Sequence, residues 1–371
     1  MEPFDYHFSG EEEIVSPQLV YYKEALRENL RRTIAMAGGP QRLWPHVKTH
    51  KMAQMVRMQV EAGITRFKCA TIAEAEMCAA NGASHVALAY PCVGPNIPRF
   101  VQLCGAYPGV TFYAIGDDRQ QVELLGAAAA KAGFAANILM DMDLGQHRTG
   151  VPMDKAEAEY VAWAALPGVA MRGMHCYDGH RHEEDLHQRE AQVRPVDEAL
   201  EKLKTRLTEA GLDCGILIMG GTPSFPCHAA MTEEFLSPGT CFVQDAGYDA
   251  AYPDLKFVPA AAVLTRVVSH PTADTFTVDL GTKAVASDPE PLRAVLADMP
   301  WAVPVMQNEE HWVLQVPPEH KEEIPPIGAV LYAIPWHVCP TSALYPSVPV
   351  VEEGKVCDWW EVTARNRKIT I

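Results

Sequence analysis

The chain has 371 residues, of which 48% are hydrophobic, so it can bury a large core in one or two domains. Its net charge of −16 argues against nucleic acid or an anionic membrane as partner. No apolar run approaches the roughly 20 residues that span a bilayer, and the acidic start, MEPFDYHFSGEEEIV, is unlike a secretory signal. The ten cysteines form no CxxC pair, and we expect a reducing, cytoplasmic location.

Helix and strand patterns alternate from residue 16 onward. The first helix is predicted from Ser16 as N-cap and Pro17 at the first helical position to Gly38 as its stop. Further along, Thr71 and Glu74 have the spacing of a capping box and predict a helix start. The predicted strands are short, mostly apolar runs: LWPHVK (43–48), RFKCA (66–70), HVALAY (85–90), VTFYAI (110–115), ANILMDM (136–142), VAMRGMHCY (169–177), GILIMGG (215–221) and TCFVQDA (240–246).

Eight such strands separated by helices predict an α/β fold, a (β/α)8 TIM-type barrel over residues 16–255. A doubly wound open sheet is the alternative. From residue 256 the sequence pattern changes to strand-like runs separated by Pro and Gly turns. This predicts a second, mostly β domain over residues 256–371, with the N-terminal arm 1–15 joined to it. Within that domain, NEEHW (308–312) is interpreted as a turn.

A lysine ends the first predicted strand, and barrel active sites lie at this end of the strands. Lys48 stands between His46 and His50 in PHVKTHK (45–51). Burial and nearby positive groups lower the pKa of a lysine and free its amine for Schiff-base chemistry. A solvated surface lysine is the alternative interpretation.

Other strand ends carry residues that suit a site opposite this lysine. Arg148 follows the fifth strand, and Tyr177 and His180 follow the sixth. One glycine-containing turn lies beyond the seventh strand and another lies near the eighth, where barrel phosphate sites typically lie and backbone N–H groups can bind a phosphate. The residues of these two turns are Gly220, Gly221, Thr222, Gly239 and Thr240.

Three features of the chain resemble the D-threonine aldolase and D-serine dehydratase family: PHVKTHK, these strand ends and IPWHVCPTSALYP (334–346). That family belongs to the alanine-racemase-like, fold-type III pyridoxal-phosphate enzymes. The resemblance covers nearly the whole chain. It implies that Lys48 carries pyridoxal 5′-phosphate, with the flanking histidines setting its basicity. It also implies that Arg148 lies near the cofactor's phenolic oxygen and that Tyr177 lies against the ring. The implied phosphate-binding residues are Gly221, Thr222, Gly239 and Thr240.

One position departs from the racemases of this fold. They have an arginine facing the pyridine nitrogen two residues before the second glycine turn, and this chain has Ser237 there. The departure weakens a racemase interpretation and leaves the partner of the pyridine nitrogen unnamed.

A second site is indicated by HVC, which contains His337 and Cys339. On an extended segment, residues i and i+2 point to the same side, so imidazole and thiolate can share one metal ion. An isolated HxC is more often structural, but the resemblance implies a divalent metal beside the cofactor. In that family, aldolase members typically carry His-x-Asp and dehydratase members carry His-x-Cys. A thiolate favours zinc, with manganese and magnesium as alternatives.

A run of histidines, HCYDGHRHEEDLH (175–187), has the look of a metal cluster. We expect no separate metal site there, because His182 and His187 are five residues apart and do not share a helix face. His180 is instead the candidate catalytic or substrate-contacting residue of this segment.

The expected function is a lyase acting on β-hydroxy D-amino acids, of the D-serine or 3-hydroxy-D-aspartate dehydratase type, giving a keto acid and ammonia. Lys48 would remove the α-proton, and the metal at His337 and Cys339 would stabilise the departing hydroxide. The alternative is an aldolase of the D-threonine type, with His180 as base, giving glycine and an aldehyde. A racemase and a non-catalytic pyridoxal-phosphate-binding protein rank below these. The resemblance also implies a homodimer.

Overall fold

The computed structural model describes residues 4–288 and 293–371. The chain forms two compact units, the barrel unit and the β unit. The barrel unit takes residues 33–48, 52–239 and 366–371. The β unit takes the described parts of 1–32, 49–51 and 240–365. The domain boundary predicted at residues 255 and 256 stays a prediction.

The strands in chain order are β1 Gln18–Tyr22, β2 Arg66–Cys69, β3 His85–Leu88, β4 Thr111–Gly116, β5 Ala136–Asp143, β6 Val151–Pro152, β7 Val169–Cys176, β8 Ile216–Met219, β9 Phe235–Leu236, β10 Ala261–Thr272, β11 Thr275–Val278, β12 Ala294–Leu296, β13 Val303–Gln307, β14 Trp312–Gln315, β15 Val330–Pro335, β16 Ser347–Glu352 and β17 Lys355–Glu361. The α-helices are α1 Lys23–Ala37, α2 Ala53–Glu61, α3 Ile72–Ala80, α4 Asn96–Ala106, α5 Arg119–Lys131, α6 Met153–Ala164, α7 Leu186–Glu209, α8 Phe225–Met231, α9 Ala246–Ala251 and α10 Val338–Ser342. No helix of the described residues is long and apolar enough to cross a membrane.

The barrel unit contains a TIM-like parallel sheet of seven strands in the order β2-β3-β4-β5-β7-β8-β9. The segment 43–46 bridges both edges of this sheet, since Leu43 pairs with Leu236 and His46 pairs with Lys68. A buried cluster that includes Trp44, Ala87 and Leu139 fills the interior. The predicted α/β barrel class is therefore confirmed, and the open doubly wound sheet is excluded.

The β unit is built on an antiparallel-rich sheet with the order β13-β14-β11-β10-β1-β16-β17, in which β15 joins β10 to β12. The predicted mostly β second region is confirmed. Its β13–β14 hairpin turns at the NEEHW segment, where the Asn308 N–H donates to the His311 carbonyl over 2.8 Å. That segment is a turn, as expected.

Three local predictions are wrong, each for a different physical reason. Residues 18–22 form strand β1 and not the start of a helix, because β10 and β16 pair with its two edges and bury it. The first predicted barrel strand, 43–48, makes isolated bridges and then a 3-10 turn at Val47–Thr49, since Pro45 has no N–H for a ladder.

The eighth predicted strand, 240–246, is also absent from the described structure. Thr240–Phe242 form a 3-10 helix, and α9 begins at Ala246. Asp245 caps α9 by accepting the Tyr248 N–H over 2.9 Å, as an N-cap aspartate does. By contrast, the predicted helix start at Thr71 is confirmed, because Thr71 Oγ1 accepts the Glu74 N–H over 3.2 Å, and the Glu74 side chain accepts the Ala70 N–H over 2.6 Å.

Candidate active site

Three charged or ionisable side chains from different strands meet inside the barrel unit. Lys68 is near the carboxyl end of β2, Asp141 of β5 and His175 of β7, and their residues are 2%, 3% and 4% exposed. His175 Nδ1 lies 2.7 Å from Asp141 Oδ1, and His175 Nε2 lies 3.3 Å from Lys68 Nζ. Thr149 Oγ1 donates to the other Asp141 oxygen over 2.8 Å. The result is a continuous buried hydrogen-bonded chain.

Three cations surround the ring of Tyr177, which immediately follows β7. Lys48 Nζ, Lys68 Nζ and the Arg148 guanidinium carbon lie 5.9, 5.4 and 4.9 Å from the ring centroid. These distances are within cation–π range. The structure thus brings together the three predicted residues Lys48, Arg148 and Tyr177, and it adds Lys68 to them.

These side chains line a cavity of about 510 Å³, which lies within the size range of cofactor and small-molecule sites. His46 also lines it, and its Nδ1 accepts the backbone N–H of Lys48 over 3.2 Å. Among the other lining residues are Tyr90, Ile115, Asp141, Thr149 and His175. The cavity combines an apolar wall with several cations and suits an anionic, ring-containing ligand.

The electrostatics of this cavity depress two pKa values. Burial, with the nearby Lys48 charge as a second cause, lowers the pKa of Lys68 to about 7. Burial and the Lys68 charge lower the pKa of His175, although the Asp141 carboxylate acts against them. Buried groups with depressed pKa values and defined partners are typical of functional sites.

The predicted phosphate-binding glycines lie in turns that follow β8 and β9. Gly220 has a φ of +70° in the left-handed region that favours glycine, and Gly221 packs so closely that a Cβ would lie 3.0 Å from the Tyr177 ring. The Gly239 N–H donates to Thr222 Oγ1 over 3.1 Å. In the barrel unit, Gly221, Thr222 and Gly239 therefore belong to two mutually bonded turns, one of which lies against Tyr177.

A buried ionic network supports the first of these turns. Ser224 Oγ accepts the Gly221 N–H over 3.1 Å and donates to Asp178 over 2.6 Å. His228 lies between Asp178 at 3.1 Å and Asp197 at 2.8 Å. Burial opposes protonation of His228, but the two carboxylates raise its pKa to about 9.

His180 is not among the residues that line the cavity of Lys48. It lies beside Gly145, where a Cβ on the glycine would be 3.4 Å from His180 Nε2. Its buried Nδ1 has no hydrogen-bond partner among the described residues. The neighbouring His182 and His187 are exposed. No group of three metal-ligating side chains occurs in residues 4–288 and 293–371.

The HVC pair belongs to the β unit. His337 is the N-cap of α10 and Cys339 lies in its first turn, so the pair is on a helix start and not on an extended segment. Cys339 Sγ is 3.2 Å from Thr49 Oγ1 and 3.5 Å from Thr240 Oγ1.

The surroundings of this pair are compatible with a metal. Burial tends to lower the pKa of His337, but Cys339 and the carboxylates of Asp245 and Asp288 raise it to about 9. His337 Nδ1 faces an Asp288 oxygen at 3.3 Å. A ligating histidine usually directs its second nitrogen at a carboxylate in this way, so Nε2 and the thiolate fit a divalent ion.

Sequence reasoning missed the buried chain of Lys68, His175 and Asp141. A signal for it exists, because each residue interrupts an apolar strand run: RFKCA, ANILMDM and VAMRGMHCY. Charged residues in otherwise buried strands indicate a functional site. Their mutual contact still depends on which strands are neighbours.

Comparison with known proteins agrees with this geometry. Residues 22–245 match the alanine racemase N-terminal domain family, and residues 260–351 match a serine dehydratase domain family. The chain is 30% identical over 360 residues to D-threonine aldolase of an Arthrobacter species, covering 95% of this chain and 93% of the relative. It is 29% identical to 3-hydroxy-D-aspartate aldolase of Paracoccus denitrificans, with 96% and 94% covered.

Two further matches extend the comparison. D-threo-3-hydroxyaspartate dehydratase of a Delftia species is 26% identical, with 86% of this chain and 89% of the relative covered. The crystal structure of D-threonine aldolase from Filomicrobium marinum superposes with a TM-score of 0.88 at 26% identity, covering 99% of this chain and 100% of that one. The chain belongs to the alanine-racemase-like, fold-type III family of pyridoxal-phosphate enzymes and is a lyase of the branch that contains D-threonine aldolase and the 3-hydroxyaspartate aldolases and dehydratases.

Proposed function

We propose that this enzyme is a pyridoxal-phosphate- and metal-dependent dehydratase of β-hydroxy D-amino acids, of the D-serine or 3-hydroxy-D-aspartate type, which releases a keto acid and ammonia. Two observations carry the proposal: a cation-lined cavity around Lys48 in the barrel unit, and the neighbouring His337 and Cys339 at the start of α10 in the β unit. A simple cofactor carrier needs no such pair.

The cavity residues fit pyridoxal phosphate in charge and shape. Lys48 would bind its aldehyde carbon, Arg148 would neutralise its phenolic oxygen, and Tyr177 offers an aromatic face for its ring. When bound, this cofactor supplies an electron sink for the substrate's α-carbon. The amine of Lys48 would take the proton from that carbon. The proposed phosphate-binding residues are Gly221, Thr222, Gly239 and Thr240.

The proposed metal ligands are His337 and Cys339. Imidazole and thiolate favour zinc, and manganese and magnesium rank behind it because they prefer oxygen ligands. A divalent ion with two protein ligands keeps open positions and supplies Lewis-acid chemistry for a hydroxyl group. That chemistry would favour departure of the substrate's β-hydroxyl, which is the dehydratase outcome.

Aldol cleavage to glycine and an aldehyde is the second candidate function. It is supported by the names of two relatives, D-threonine aldolase and 3-hydroxy-D-aspartate aldolase, at 30% and 29% identity. His180 is the proposed base for that reaction. A racemase has less support, because Ser237 is buried and donates its hydroxyl to the Trp44 carbonyl over 2.9 Å.

A substrate panel separates the candidates. Purified enzyme supplied with pyridoxal phosphate and zinc is given D-serine, 3-hydroxy-D-aspartate and D-threonine, and their L-enantiomers serve as controls. Keto acid and ammonia from the first two substrates support the dehydratase. Glycine and aldehyde, with little keto acid, would replace it by the aldolase.

Two further properties belong to the proposal. A cytoplasmic location is supported by the ten cysteines, none of which forms a disulfide bond in the described structure. A homodimer is supported by the edge strand β13, whose apolar Val303, Val305 and Met306 are exposed. An exposed apolar sheet edge is otherwise a liability.

A further inference from the structure

Lys68 is a buried lysine with an unusual partner. Its neighbours along β2, Phe67 and Cys69, are fully buried, yet its amine lines the cavity of Lys48. Burying an ammonium group is costly, and proteins retain such lysines where the amine has a task. The Lys68 amine lies 3.3 Å from an imidazole nitrogen, His175 Nε2.

The hydrogen-bonded chain determines where the protons are. Asp141 accepts a hydrogen bond from Thr149, and His175 Nδ1 lies against the other carboxyl oxygen, so we assign the imidazole hydrogen to Nδ1, directed at Asp141 Oδ1. His175 Nε2 therefore presents a lone pair to Lys68. A proton can pass from Lys68 Nζ to His175 Nε2, which leaves a neutral amine and an imidazolium paired with Asp141. The total number of protons does not change.

From this arrangement we infer that Lys68 is a second acid–base residue of the cofactor cavity, acting beside Lys48, with His175 and Asp141 as positioning residues that hold or release its proton. The inference rests on the proposed function in one respect, namely that the cavity takes the cofactor at Lys48. It adds a proton reservoir that remains in the cavity while Lys48 is occupied by the cofactor.

The charges around Lys68 favour exchange near neutral pH. Burial is the main cause that brings the pKa of Lys68 to about 7, and the charges of Lys48 and Arg148 act in the same direction. Asp141 and Asp178 oppose them. An acid–base group is most efficient when its pKa lies near the working pH.

The first test needs no turnover. Cofactor-free full-length protein is labelled with ¹³C at the lysine ε-carbons, and the Lys68 signal is assigned by its loss in Lys68→Met. We expect this signal to titrate with a midpoint near 7. Lys48→Met should raise the midpoint by removing a like charge, and Asp141→Asn should lower it by removing a carboxylate. A midpoint near the ordinary 10.5 that neither variant moves would overturn the inference.

A stability measurement separates this role from a structural one. Lys68→Met should raise the Tm at pH 6, because it removes a buried charge, whereas loss of a merely structural lysine would lower the Tm. The matched control is Lys283→Met, which removes an exposed lysine paired with Glu309 and should change the Tm little.

The second test uses the loaded enzyme. Lys68→Met should lower kcat by roughly 100-fold or more, while borohydride still attaches the cofactor to Lys48. Lys68→Arg, which keeps the charge but cannot release a proton, should be equally slow, and His175→Gln should move the pH profile of kcat. Wild-type kcat in Lys68→Met would refute the role. A Lys68 midpoint near 7 in a protein without lyase activity would instead count against the proposed function alone.

Discussion

At the scale of single residues, the site depends on amines whose surroundings differ. Lys48 and Lys68 both lie within 6 Å of the Tyr177 ring centroid, at 5.9 and 5.4 Å. They differ in position along the chain, since Lys48 is in the 3-10 turn that follows the bridging segment 43–46 and Lys68 is inside β2. One cavity therefore holds two amines, and the first prediction distinguishes them.

Lys48 is predicted to be the residue that binds the cofactor. Borohydride treatment of loaded enzyme should attach the cofactor covalently to the peptide that contains Lys48, as read by mass spectrometry. Lys48→Ala should lose this label and its activity. Lys51→Ala is the control and should keep the label. Recovery of the label at Lys51, Lys68 or Lys283 would show the assignment to be wrong.

His337 and Cys339 are predicted to bind one divalent metal ion. Elemental analysis should find one zinc per chain, and chelation should remove turnover while the borohydride label at Lys48 persists. Cys339→Asp should shift the preference toward manganese, because a carboxylate is a harder ligand, and should increase glycine relative to keto acid. The control is Cys357→Asp, at an exposed cysteine. Full activity after exhaustive chelation would remove the metal from the proposal.

At the scale of elements, a bulge between β5 and β7 positions the hydrogen-bonded side chains of Asp141 and His175 in the cavity. Ile138 pairs with Met171, but the next pair is Leu139 with Gly173, so Arg172 is an extra residue in β7. As a consequence Asp141 faces His175, whereas without the bulge it would face Met174. Bulges commonly redirect side chains next to active sites.

Gly173, next to the bulge, permits the close pairing of β7 with β8. Its φ is +149°, and a Cβ there would lie 1.7 Å from the Ile216 carbonyl oxygen on β8. Gly173→Ala should therefore lower the free energy of unfolding by about 2–4 kcal/mol, measured by urea denaturation. Gly105→Ala in α4 is the control, since a Cβ there meets no atom within 4 Å and should be neutral or stabilising. An equal effect of both substitutions would contradict this account.

The buried network of His228, Asp178 and Asp197 should make the free energy of unfolding depend on pH. His228 has a folded-state pKa of about 9, above its ordinary value of 6.5, so its contribution is complete below pH 6.5 and is lost as the pH rises to about 9. Lys68 acts in the opposite sense between about 7 and 10.5. The wild-type free energy of unfolding minus that of His228→Asn should therefore fall across pH 6.5 to 9, by on the order of 1–3 kcal/mol.

The control for this titration is His187→Asn, because the His187 side chain is 89% exposed. The difference between the wild type and this variant should stay flat over the same pH range. A flat difference for His228→Asn as well would show that the imidazole is not held in its charged form.

At the scale of the whole molecule, assembly is the property to test. In the β unit, β13 is the last strand of its sheet and presents Val303, Val305 and Met306 to solvent, at 48%, 56% and 54% exposure. Such a strand offers both apolar surface and unpaired backbone groups to another chain.

We predict a homodimer whose interface includes β13. Sedimentation of the wild type should give twice the chain mass, and Val305→Lys with Met306→Lys should shift the equilibrium toward the monomer. Val161→Lys, at an equally exposed position on α6 of the barrel unit, is the control. A fully active wild-type monomer would defeat the prediction.

The sequence by itself indicated the alternation of strands and helices, the helix start at Thr71, and Lys48, Arg148 and Tyr177 as candidate site residues. Periodicity, caps and short motifs depend on neighbours along the chain, and these signals are local. The structure places the three predicted residues around one cavity, as expected for strand ends of one barrel.

Only the tertiary structure decided the rest, because it depends on pairing between distant segments. The pairing of β1 with β10 and β16 overrode a helix-start pattern at Ser16 and Pro17. Bridges to β2 and β9 turned residues 43–46 into the link between the sheet edges. Lys68 meets His175, 107 residues away in the chain, and the bulge in β7 brings Asp141 to the same imidazole. Strand order and register set these contacts, and both depend on pairing between segments that are far apart in the chain.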